Sequence, residues 1–130
     1  MNMNGCVSVI SGELHSRVSG LRQTGEREYC CTMDFDPAFR GFEGHFDGNP
    51  IAPGICLIQA ARVIAEAILE KNLETRCVTN CRFRRPVLAG ERASIKVRLE
   101  TAGDALWKVQ ADIRVDGEVC SLIQLKAAEL

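Results

Sequence analysis

From Arg92 to Thr101 apolar and polar residues alternate: Ala93, Ile95, Val97 and Leu99 are separated by Ser94, Lys96, Arg98 and Glu100. A period of two places one face of a strand in a core and the other in water. Trp107, Val109, Ala111, Ile113 and Val115 alternate in the same way with Lys108, Gln110, Asp112 and Arg114, which predicts a second strand beyond the Ala102-Gly103-Asp104 turn signal. Asp116-Gly117 then supplies the two-residue hairpin, because a type I′ turn needs positive φ. Val119 to Ala127 is the returning strand, so the C-terminal half reads as an antiparallel meander with one wet face. Upstream, Arg76 to Arg85 reads as a further strand closed by Pro86, which cannot donate to a ladder. Leu14 to Leu21 and Arg27 to Phe35 are weaker strand candidates separated by Thr24-Gly25.

One segment has a different rhythm. After Pro53-Gly54 the run from Ile55 to about Lys71 is apolar around most of a helical circumference, and only Gln59, Arg62, Glu66 and Glu70 interrupt it, near one stripe. A helix apolar almost all round is a buried helix. Glu66 follows Arg62 by four residues, the spacing of an ion pair along a helix. A single buried helix among about six antiparallel strands predicts an α+β domain in which the sheet wraps around the helix.

The 130 residues are sized for one domain, residues 1–130, with a real core. Hydrophobic residues make up 46% and charged residues 25%, which excludes a disordered chain. The net charge of −1 gives no bulk attraction to nucleic acid. No stretch is long and apolar enough for a membrane span, and the N-terminus lacks the basic and apolar regions of a signal peptide. The seven cysteines are an odd number and form no C-x-x-C pair; Cys77 and Cys81 have no second pair to complete a zinc site, so no metal is expected. Free thiols point to a reducing compartment and hence to a cytoplasmic location.

The chemistry is concentrated in the Gly- and Pro-rich segment from Phe35 to Gly54, which leads straight into the buried helix. Long ordered loops of this kind are often functional. His45, one of two histidines, is a candidate proton acceptor, because an unperturbed imidazole titrates near neutral pH; a backbone-bonded loop histidine is the simpler alternative. Gly54 opens the helix, where the first N–H groups lack internal partners and stand at the positive end of the macrodipole. A thioester carbonyl could be polarised there, although Pro53-Gly54 also serves simply to start a helix.

His45, Phe46, Gly48, Pro50, Ile51, Pro53 and Gly54 resemble the H-F-x-G-x-P-x-x-P-G signature of the bacterial 3-hydroxyacyl-[acyl-carrier-protein] dehydratases. Phe83, Arg84, Arg85, Pro86, Val87, Gly90 and Glu91 resemble the same family's F-R-R-P-V-x-P-G-D segment, and Trp107-Lys108 and Val115-Asp116-Gly117 also fit. The similarity runs from about Phe35 to Ala127; the family's opening motif is not recognisable. The resemblance implies a hot-dog fold, an antiparallel sheet around one long helix, assembled as a homodimer or higher even oligomer. It implies no cofactor, since the pantetheine arm arrives on acyl carrier protein or coenzyme A. His45 would remove the C2 proton, the Gly54 amide would hold the thioester carbonyl, and the Ile51 carbonyl would orient the imidazole. Phe46, Pro53 and Cys56 would contact the acyl group. The carboxylic acid that completes the family's site, contributed by the partner subunit, corresponds to Gln59 here.

That difference leaves three readings. An amide neither protonates a leaving hydroxyl nor activates water at neutral pH, so His45 shuttles both protons while Gln59 positions the hydroxyl, or the reaction has become thioester hydrolysis, or only acyl binding is kept. Cys56 invites a Cys–His nucleophile, against which stands the inertness of a thiol on an apolar helix. Arg82, Arg84 and Arg85 form a candidate docking patch for an acidic carrier protein, or an ordinary polar strand end.

Overall fold

The computed structural model describes residues 5–42 and 51–130, with side chains from residue 10 onward. The elements are α1 (Gly5–Arg17), β1 (Val18–Gly25), β2 (Glu28–Phe35), a short 3-10 turn (Arg40–Phe42), α2 (Gly54–Leu69), β3 (Leu73–Phe83), β4 (Glu91–Gly103), β5 (Leu106–Val115) and β6 (Glu118–Glu129). The six strands form one sheet in the order β1-β2-β4-β5-β6-β3, every neighbouring pair antiparallel. β1 and β3 are its edges.

The period of two fixes which face of the sheet is dry. Ala93, Ile95, Val97 and Leu99 of β4, and Val109, Ala111, Ile113 and Val115 of β5, are all buried, while Lys96, Arg98 and Arg114 lie on the other face. Residues 116 and 117 have φ of 51° and 80°, so the hairpin takes the double positive-φ form that Asp-Gly favours. α2 lies against the dry face of β3–β6. Ala60, Ala61 and Ala65 are fully buried beside Val63 and Ile64; the small side chains let helix and sheet approach closely. α2 ends at Leu69 rather than Lys71 because Glu70 adopts the left-handed conformation, φ 54°, that closes many helices.

The N-terminal expectation is corrected. Leu14 to Arg17 belongs to α1, and the strand begins only at Val18. Ile10 and the fully buried Leu14, four residues apart, pack into the core, and Glu13 pairs with Arg17 one turn on. The glycines at 5 and 12 and the β-branched Val7, Val9 and Ile10 hide that helical spacing.

α1 is tied to α2 by a shared buried carboxylate. Glu66, 9% exposed, lies 2.9 Å from His15 Nε2 and 2.9 Å from Arg62 Nη1. Its second oxygen also accepts the Leu73 N–H at 2.7 Å, so one side chain joins α1, α2 and the start of β3. Removing the carboxylate strips the Leu73 N–H of its acceptor and the half-buried Arg62 of its counter-charge. Glu66→Ala is expected to cost about 3 kcal/mol of stability, read as a shift of the urea midpoint at unchanged slope. A loss below about 1 kcal/mol would put this carboxylate among ordinary surface ion pairs.

Candidate active site

The two motif segments, some thirty residues apart in sequence, meet in space. Ile51 forms an isolated antiparallel bridge with Leu88, and the Ala52 N–H donates to the Val87 carbonyl at 2.8 Å. The second segment is itself held rigidly. Arg85 makes paired hydrogen bonds to Glu91, Nη1 to Oε1 at 2.9 Å and Nη2 to Oε2 at 2.7 Å, and its Nε lies 3.2 Å from Glu118. The Leu88 N–H donates to Glu91 as well, at 2.8 Å. Hydrogen bonding from Arg85 holds the Glu91 carboxyl below the usual carboxylate range.

On the other side of the loop, Phe35, Phe39 and Phe42 pack edge to face with ring centres 5.4 and 5.3 Å apart, and Arg17 lies over the Phe39 ring. Glu13 of α1 accepts the Arg40 N–H at 3.0 Å. Both approaches to the segment 43–50 are therefore anchored. His45 and Phe46 fall within that segment, outside the described residues.

Pro53 caps α2 in an extended conformation, φ −61° and ψ 148°, and its carbonyl receives the Cys56 N–H at 2.9 Å. Among the described residues no acceptor is assigned to the N–H of Gly54 or Ile55. A cavity of about 420 Å³ opens beside this helix start, lined by Ile51, Ala52, Gly54, Leu57, Phe83 and the Arg84–Pro86 segment. A Cβ on Gly54 would come within 2.7 Å of the Phe83 ring, so a side chain here would displace that ring and obstruct access to the backbone.

Of the residues singled out in the sequence, Ile51, Pro53 and Gly54 come together here. Cys56 is buried next to them, and burial pushes its thiol pKa up, which removes the physical basis for a nucleophile at neutral pH. Gln59 is not at this cavity. Five residues on from Gly54 it points to another side of α2, where its side-chain oxygen accepts from Arg62 Nε at 3.2 Å and Nη2 at 2.7 Å. Arg62 also donates to Ser11 of α1 at 2.6 Å. Arg82 and Arg84 are exposed, whereas the Arg85 guanidinium is occupied by Glu91 and Glu118. Sequence reasoning missed Ser11, Glu13 and His15, whose signal lay in the unrecognised α1. Among the described residues no cluster fit for a metal is present.

A family model described as ApeI-like, ApeI dehydratase, matches residues 21–121. Proteins named 3-hydroxyacyl-[acyl-carrier-protein] dehydratase FabZ are similar in sequence. That of Rhizobium rhizogenes is 35% identical over 85 residues, 60% of this chain and 54% of the relative. That of Geotalea uraniireducens is 33% identical over 95 residues, 66% of each chain. The chain thus spans between about half and two-thirds of the length of these relatives. Among solved structures, the dehydratase heterocomplex ApeI:P from Xenorhabdus doucetiae superposes with a TM-score of 0.69 at 21% identity, covering 85% of this chain and 96% of that one. A hypothetical thioesterase with coenzyme A from Streptococcus pneumoniae gives 0.68 at 12% identity, covering 96% and 97%. Both likenesses carry the hot-dog fold.

The close packing at the helix start has a measurable consequence. Phe83 is 53% exposed and can swing away from a methyl group, so Gly54→Ala should cost no more than about 1 kcal/mol in thermal unfolding. A ligand approaching the amide has no such freedom, so the same variant should lose most binding of acyl-pantetheine thioesters, measured by calorimetry. Unchanged affinity would separate the Gly54 amide from the binding site.

Proposed function

The chain belongs to the ApeI-like dehydratase family, and on that footing we propose that it interconverts 3-hydroxyacyl and trans-2-enoyl thioesters. The observation that carries this reading is the junction of the two motif segments at the open start of α2, beside a cavity sized for part of an acyl-pantetheine chain. His45 takes the C2 proton, the electron pair forms the C2–C3 double bond, and the C3–O bond breaks. The hydroxyl leaves as water with the proton returned by His45. The Gly54 N–H receives the charge that develops on the thioester oxygen as the C2 proton is lost, with Ile51 orienting the imidazole through its carbonyl. Phe46, Pro53 and Cys56 contact the acyl portion. These steps balance without a cofactor.

Gln59 replaces the acid by holding the 3-hydroxyl, and it does so across a subunit boundary. Three observations support a homodimer formed along β3. That strand is a sheet edge. Val78 and Phe83 on it are 42% and 53% exposed, and Ile55 on the adjoining turn of α2 is 63% exposed. Gln59 faces away from the cavity of its own chain. The heterocomplex assembly of the ApeI:P dehydratase shows that a related fold also pairs with a different chain. Arg82 and Arg84, the exposed members of the arginine cluster, dock an acidic carrier protein, with coenzyme A thioesters as the alternative substrate form. No described helix is long and apolar enough to cross a membrane, and the six described cysteines are free, which suits the reducing cytoplasm.

Hydrolysis is the second reading, suggested by the likeness to a hypothetical thioesterase with coenzyme A. The two are separated by following enoyl absorbance and free thiol together, with a 3-hydroxyacyl thioester and its enoyl counterpart. Interconversion without thiol release, lost by at least about a hundredfold in His45→Ala, is the expected result. Thiol release without interconversion makes the chain a thioesterase, and binding without either leaves an acyl-binding protein.

A further inference from the structure

Gln59 is held in one orientation. A guanidinium has donors and no acceptor, so the two Arg62 contacts at 3.2 and 2.7 Å oblige Gln59 to turn its carbonyl oxygen toward Arg62. The amide nitrogen then points away. Gln59 is half-buried, and among the described residues no partner is assigned to its amide nitrogen. Arg62 is itself fixed, by Glu66 at 2.9 Å and Ser11 at 2.6 Å, with its side chain 12% exposed. Its position is thus set by α1 and by the Glu66–His15 pair rather than by Gln59.

We infer that Arg62 is a positioning residue that makes position 59 a hydrogen-bond donor only, directed at the 3-hydroxyl oxygen of the substrate. The identity of that hydroxyl rests on the dehydratase reading; the donor-only state rests on the geometry alone. Two consequences follow. An amide oxygen already occupied by a cation cannot hold an attacking water, so this position opposes hydrolysis. Nor is Gln59 a decayed acid that one substitution repairs. A carboxylate at 59 would have Arg62 as its nearest charge, with Glu66 and His15 one step further along the same network, and a facing cation favours the ionised form. Such a group is held without the proton a general acid must give.

The test uses pantetheine amides in place of thioesters, because an amide suppresses loss of the C2 proton. Binding of a 3-hydroxyacyl amide is compared with that of its 3-deoxy counterpart in the full chain. The native protein should favour the hydroxylated ligand by about two- to tenfold, the net worth of one neutral hydrogen bond. Arg62→Met should erase that preference and leave affinity for the 3-deoxy ligand unchanged. Because Arg62→Met also strips a partner from Glu66 and so weakens the fold, Arg62→Lys is the second variant: it keeps a cation beside Glu66 but lacks the planar fork that grips Gln59, and should lose the preference with the fold intact. In the thioester assay Gln59→Glu should dehydrate more slowly than the native chain, and Gln59→Glu with Arg62→Lys should exceed Gln59→Glu alone. A native preference kept in Arg62→Lys, or a gain in Gln59→Glu with Arg62 in place, overturns the inference. An Arg62-dependent preference in a protein that dehydrates nothing sinks the dehydratase reading and leaves the assignment of Arg62 standing. Dehydration with no hydroxyl preference does the reverse.

Discussion

One constraint organises this chain: α2 has to be dry. Ala60, Ala61, Val63, Ile64 and Ala65 have no exposed surface, and a helix that apolar is stable in water only if a sheet curls over it. The four strands β3–β6 supply that cover with alternating inward side chains, and α1 closes the remaining side. The few polar residues of α2 must then find partners inside the protein, which is why Glu66 gathers His15, Arg62 and the Leu73 N–H. An unpaired carboxylate there would cost several kcal/mol.

The same burial creates the site. A helix end cannot be buried with its first N–H groups unmet unless something else meets them. At Gly54 the chain brings in a backbone free of Cβ, a half-exposed ring from Phe83, and a segment stapled to Val87 and Leu88. On the proposed function, the residues that start this helix are also those that present N–H groups, without an assigned acceptor among the described residues, to a thioester carbonyl.

Much of this was legible in the sequence. The strict alternation of β4 and β5 and the Asp116-Gly117 turn specify faces and register, because a one-residue slip would expose every inward side chain. The run of apolar residues after Pro53-Gly54 specifies a buried helix. Motif spacing brought Gly54, Ile51 and Pro53 to one place. What stayed hidden depends on contacts distant in sequence. α1 has weak local propensity and is held by Leu14 and by the partners of Glu13 and His15. Arg85 looked like a docking charge, yet Glu91 and Glu118 engage it. The grip of Arg62 on Gln59 is a helical neighbour relation that the spacing allowed, but the braces from Glu66 and from the distant Ser11 make it rigid.

The central claim is that one active site is built from Gly54 and its neighbouring loop in one chain and Gln59 in another. Subunit mixing tests it most directly. His45→Ala and Gln59→Ala are each prepared as pure protein, exchanged under conditions where labelled chains are seen to mix, and assayed for dehydration. A shared site predicts that two nearly inactive proteins regain activity on mixing, because each mixed dimer contains one site with both residues intact. Verified exchange with no recovery would confine the site to a single chain and contradict the account.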